Sequence, residues 1–237
     1  MIDAGALWRR AIHPVAGFKE LAEAPPPLAE SVLRLLALRV PVAFLAWAIA
    51  VTKFSFGYAA FRAMDGLVWR LVLPRLGELN SELNPADLKA FLDQLPQLPP
   101  LSTLLAWGLL AAPLGVLSLW IHDAAWDHGC LWLMGALKAR KGFRTTLLAE
   151  SEVLSVGVIG ALLALLGDVP LLGFILGLPL LLAGLYFWIL RGFSLAAFHR
   201  LPLWKGIGAT VLHVLLAFCC VGGTLALAGL LFFLPVG

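Results

Sequence analysis

Charge is what this chain is short of. Only 13% of its 237 residues are Asp, Glu, Lys or Arg, where a soluble domain carries roughly a quarter. With 61% apolar residues and a mean hydropathy of +0.94, the scarcity excludes an ordinary water-soluble globule and indicates a membrane protein. The net charge of +3 is spread over short stretches. No basic stripe could track phosphates, which excludes a nucleic-acid partner. Cysteine is scarce too. Cys130, Cys219 and Cys220 form no CxxC and no spaced framework. The vicinal pair sits in an apolar run and is expected to be buried packing. The N-terminus lacks a signal-peptide core and cleavage site, so the first hydrophobic span is expected to be retained as an anchor.

Enzyme signatures are missing as well. There is no HExxH, Walker A or Rossmann glycine pattern. Asp123-xxx-Asp127 matches only a fragment of the CDP-alcohol transferase motif. Gly192-Phe193-Ser194-Leu195 lacks the second glycine of a rhomboid-like serine site. No nucleophile with a placed base and oxyanion donor can be argued. A non-enzymatic protein without cofactor is therefore expected.

What the chain has in abundance is long apolar runs. They predict an all-α membrane protein: a five-helix transmembrane bundle, residues 35–237, behind an N-terminal amphipathic cytoplasmic head, residues 1–34. The spans are expected at about 40–61, 101–121, 145–167, 169–190 and 207–233. At ~1.5 Å rise per residue, about 20 residues cross the hydrocarbon. Trp107, Trp120, Trp126, Trp132, Trp188 and Trp204 fall near the ends of these runs, where an interfacial belt would sit. In the head, Pro14 can open a helix with Val15, Phe18, Leu21 and Ala22 on one face, ended by Pro25-Pro26-Pro27. Residues 62–79 read as interfacial, and Asn84-Pro85 as the start of a loop helix. Small residues suggest helix packing, above all the Gly173-xxx-Gly177 pair. It is read as an intramolecular contact first, with homo-oligomerisation left open.

Lys and Arg set the orientation. Five precede the first span (Arg9, Arg10, Lys19, Arg34, Arg39). Four join spans two and three (Lys138, Arg140, Lys141, Arg144), and three join spans four and five (Arg191, Arg200, Lys205). The third-to-fourth turn has none. This alternation expects the N-terminus in the cytoplasm and the C-terminus outside a bacterial inner membrane.

Residues Ile121–Ser155 hold most of the candidate chemistry. Asp123 and Asp127 share a helix face. With His128 and His199 they could ligate a divalent transition metal, against the plainer reading as interfacial polar residues. Lys53, Glu150, Glu152 and His213 are the intramembrane polar candidates. Lys53 can snorkel to the interface, one of the glutamates can meet Arg144 or Lys141, and His213 can hydrogen-bond a neighbouring helix. Phe18, Lys138, Arg140, Lys141 and Arg144 are the candidates for docking a partner.

The head pattern Trp8, Pro14, Phe18, Leu21, Glu23, Pro25 is followed by the segment Gly142-Phe143-Arg144-Thr145-Thr146 leading into the third span. His199, with Lys205 after it, lies between the last two spans. In order and spacing this resembles the bacterial branch of the YIP1 family of multi-pass membrane proteins. Where that family is usually glycine-rich before Gly142, this chain reads Lys138-Ala139-Arg140-Lys141. The resemblance implies five helices, a cytoplasmic N-terminal region and no catalytic residues. It fits a scaffold or assembly factor that binds another membrane complex. The alternatives from the residues are a transporter or lipid-handling protein, motivated by the intramembrane polar candidates, and a metal-dependent membrane enzyme.

Overall fold

Asp3 caps the first helix, its Oδ1 accepting from Ala6 N–H at 3.1 Å, one of the donors a helix start leaves bare. The computed structural model describes residues 3–63, 97–137, 142–168 and 170–233. Helix α1 (Ala4–Ile12) meets α2 (Pro14–Glu23) at His13, and Pro14 opens α2 where its missing N–H costs nothing. Then come α3 (Leu28–Ala63), α4 (Leu101–Leu133), α5 (Phe143–Val156), α6 (Val158–Gly167), α7 (Pro170–His199) and α8 (Leu203–Phe233). No strand occurs among the described residues. The expected features at 62–79 (from residue 64 on) and 84–95, and the bases Lys138, Arg140 and Lys141, lie outside them.

Helices α3, α4, α7 and α8 are long and apolar enough to cross a membrane. The pair α5–α6, bent by 44°, makes a fifth crossing if counted as one span. The helices differ from the expected spans in one consistent way: they run further into the polar sequence. The first begins at Leu28, directly after the proline triplet, within the expected head. The second continues to Leu133, and the fourth to His199.

Local chemistry explains these ends. Gly135, at φ +61°, closes α4: Ala136 N–H bonds Leu131 O at 2.9 Å and Gly135 N–H bonds Trp132 O at 2.9 Å, a Schellman cap. Arg200 closes α7 the same way, at φ 53°, with Leu201 N–H on Ala196 O at 2.8 Å; Pro202 follows. The α5–α6 bend has a local cause. Ser155 Oγ donates back to Ser151 O at 2.7 Å, a bond that bends helices. Arg39 then donates to Gly157 O at 3.0 Å just past the break.

The chain forms two compact units. One is Phe44–Ala112. Within it Trp47 Nε1 donates to Leu104 O at 2.9 Å, and a Cβ on Gly108 would stand 2.8 Å from that nitrogen, so only glycine fits. Lys53 is exposed on α3 in this unit.

The other unit is Met1–Ala43 with Pro113–Gly237. Its core packs Phe18 of α2, Leu131 of α4, Ala149 and Val156 of α5, and Leu190, Leu195 and Phe198 of α7. Leu35, Val116 and Trp120 form a second cluster with Leu147 and Leu154. Helices α7 and α8 touch most closely at two glycines. A Cβ on Gly192 would lie 2.7 Å from Ile207 Cα, and one on Gly206 would run into the carbonyl oxygen of Gly192.

Several expectations are corrected here. The Gly173-xxx-Gly177 pair is an intramolecular contact at one glycine alone: Gly173 meets the backbone of Gly167 at the end of α6, whereas no atom of the described residues lies within 4 Å of a Cβ on Gly177. Cys219 and Cys220 are exposed on α8 rather than buried; only Cys130 is buried. Phe18 is fully buried, so it anchors the head to the core and cannot meet a partner. Trp107, Trp132 and Trp204 face outward, but Trp120 is buried and donates Nε1–H to Leu147 O at 2.8 Å.

Candidate functional site

Helix α5 carries an unusual load for a buried helix. Thr146, Glu150, Ser151, Glu152 and Ser155 are all wholly shielded from solvent. Burying a charge is costly unless it is paired, and the partners come from four other helices. They form three groups.

The first group surrounds Arg191 of α7. Its Nη1 lies 3.3 Å from Asp123 Oδ2, its Nη2 3.0 Å from Asp127 Oδ2 and its Nε 3.3 Å from Glu150 Oε2. The planar fork thus faces one carboxylate with each nitrogen. Trp188, one turn earlier, lies under the guanidinium at 4.8 Å. Asp127 also accepts from His213 Nδ1 of α8 at 2.6 Å, and His213 stacks on Trp126 at 5.7 Å. Only the Asp127 contact is a well-aligned hydrogen bond. Neither oxygen of Glu150 has a hydrogen-bond partner. Three carboxylates against one guanidinium leave a formal excess of two negative charges.

The second group surrounds Glu152. Arg10 Nη1 of α1 and Ser31 Oγ of α3 each donate to it at 2.8 Å, and Arg34 Nη2 makes a third contact. Burial pulls the Arg10 guanidinium below its usual pKa, and Glu152 beside it opposes that. Tyr186 of α7 adds a further tie by donating its hydroxyl to Ala11 O. The third group joins one hydroxyl to two imidazoles. Thr146 Oγ1 lies 2.8 Å from His128 Nδ1 and 3.0 Å from His199 Nε2. A hydroxyl has one proton, so one ring accepts and the other donates.

The metal candidates are therefore divided. Asp123 and Asp127 belong to the Arg191 group, while His128 and His199 share Thr146. Among the described residues the group with metal-compatible spacing is a different one: His122, Asp123 and His213, whose ligand atoms lie within 4.8 Å of one another. The two glutamates do point apart, but neither uses Arg144, which is exposed. They meet Arg191 and the Arg10–Arg34 pair instead. His213 makes the helix-to-helix bond expected of it.

Arg191, Arg10, Arg34, Ser31 and Thr146 are the site residues that the sequence reading missed. The apolar run stops at Leu190, which places Arg191 in a connection; that nothing breaks a helix between Leu190 and Pro202 is the signal that it stays helical. Two of the expected belt tryptophans, Trp126 and Trp188, pack against this site. No protein-family model matches the chain, and neither does any curated protein or solved structure.

Proposed function

We propose that this chain is a YIP1-like, non-enzymatic membrane scaffold that holds another membrane complex, with five spans and the head on the cytoplasmic face of a bacterial inner membrane. The observation that carries this reading is the anchoring of the head. Arg10 and Arg34 converge on the buried Glu152, and Phe18 sits in the core. The head is thus a fixed surface of the bundle, as a docking platform requires. Beside it runs a groove of about 450 Å³ between α2 and the end of α7, lined by Val15, Lys19, Phe193, Ala197 and Arg200. With Phe18 unavailable, Val15 and Lys19 become the docking residues of this groove, and Arg144, exposed on α5, remains a separate candidate. The test is photocrosslinking from Val15 in the native membrane. A single reproducible membrane-protein adduct, lost in Arg10→Ala, supports the scaffold. A lone protein on native purification, with no adduct, ends it.

One observation favours a second reading, a lipid or ion handler. A cavity of about 360 Å³ has apolar walls from α6 and α7 and is bounded at Asp123 and Arg191. Flux in proteoliposomes that is abolished by Glu150→Gln would promote it; unaffected flux would remove these residues from transport.

A further inference from the structure

The geometry points to a binding site for a divalent first-row transition metal ion, with His122, Asp123 and His213 as its ligands and Asp127 holding His213 in place. The site is independent of the scaffold reading, and it differs from the metal set that the sequence suggested.

Four observations carry it. The donor set is right: two imidazoles and one carboxylate suit zinc, iron, nickel or copper rather than magnesium or calcium. The atoms are also already sorted. Asp123 turns Oδ2 to Arg191 and has Oδ1 3.4 Å from His122 Nδ1. His213 gives Nδ1 to Asp127 at 2.6 Å, which leaves Nε2 as the nitrogen with a lone pair to offer. A carboxylate behind a ligating histidine fixes its tautomer and ring orientation in metal sites. Trp126, stacked on His213 at 11°, holds the same ring from its face.

The third observation is charge. Asp123, Asp127 and Glu150 exceed Arg191 and Arg39, the other base near Asp123, by one formal negative charge, so the cluster favours a cation. The fourth is Glu150 itself, fully buried beside Asp123 and Asp127 and sharing Arg191 with them through an ion pair at 3.3 Å, so that three acids crowd one guanidinium.

A tetrahedral ion with ligands at about 2.1 Å needs donor atoms roughly 3.4 Å apart. One ligand atom from each of the three residues lies within 4.8 Å of the other two. His122 can close that gap, because its side chain is 61% exposed and unconstrained by the core, whereas Asp123 and His213 are held on rigid helices. Three ligands from the chain leave the remaining position to water or to a group from outside.

The experiment is Co²⁺ titration of the purified full chain in detergent, with any affinity tag removed, followed by the visible absorption of bound cobalt and by Zn²⁺ competition. One equivalent should bind. His122→Ala lies on the surface and should fold as the parent does, yet weaken binding more than about 100-fold, since it removes a ligand outright. Asp127→Asn should weaken it by about 10- to 100-fold. His128→Ala, in the neighbouring threonine-centred group, should change nothing. Absence of stoichiometric binding overturns the site. So does binding that survives His122→Ala or is lost in His128→Ala.

Discussion

Arg10 and Glu152, 142 residues apart in the chain, meet at 2.8 Å in the interior, where Glu152 is wholly buried and the Arg10 side chain only 10% exposed. One contact therefore ties the first helix of the chain to its most polar buried helix. Ser31 and Arg34 still hold Glu152 when Arg10 is removed, so the loss should be about 1–3 kcal/mol rather than the cost of stranding a buried charge outright. Arg10→Ala should accordingly release α1 and α2. The expected result is protease cleavage near the proline triplet, which the parent protein resists, with a lower unfolding temperature. Equal protease resistance in both proteins would show that the pair does not hold the head.

Arg191 and Glu150 should behave very differently although they touch. Arg191→Met removes the one guanidinium that faces all three buried carboxylates and should cost about 3–5 kcal/mol, read as failure to fold or a large loss in thermal stability in detergent. Glu150→Gln should cost under about 1 kcal/mol. It removes a like charge, breaks no hydrogen bond and gives Asp127 an amide to accept from. Equal penalties would mean that Glu150 is the main counter-ion of Arg191.

Thr146 mediates between two histidines. Thr146→Val keeps the shape and removes the hydroxyl, so His128 and His199 each lose a partner, at about 1–3 kcal/mol. Thr146→Ser should restore most of it. A stability difference between valine and serine variants, measured by thermal unfolding, checks the assignment.

Two glycines that look alike in sequence should respond in opposite ways. Gly206→Ala drives a methyl into the carbonyl oxygen of Gly192 and should disrupt the α7–α8 crossing. Gly177→Ala meets nothing within 4 Å among the described residues. In a helix interior it should be neutral or stabilising by up to about 1 kcal/mol. Expression level and thermal stability of the two variants compare them directly.

Arg200 holds a left-handed backbone, at φ 53°, that costs a side-chain-bearing residue roughly 1–2 kcal/mol. Arg200→Gly should raise the unfolding temperature, because glycine takes that conformation without the clash. A fall instead would show that the Arg200 side chain contributes more than its backbone costs.

How much of this was legible beforehand follows from the range of each force. The apolar runs alone determined an all-helical membrane protein and the rough place of each long helix, because crossing hydrocarbon demands length and apolarity, and both are local properties of sequence. Pro14 and Pro25-Pro26-Pro27 likewise marked α2 and its end by local sterics. The opposed directions of Glu150 and Glu152 followed from helix periodicity. What those residues meet did not. Arg10, Arg34 and Arg191 read as loop charges because they border apolar runs, and a charge at such a border can face water or turn inward with no change in local pattern. Only the tertiary structure decided, by placing the acids of α4 and α5 where those arginines could reach them. The same holds for His122, His128, His199 and His213. Their partners come from other helices, so spacing along the chain set His128 and His199 with Asp123 and Asp127, whereas packing in three dimensions puts those two on Thr146 and His213 on Asp127.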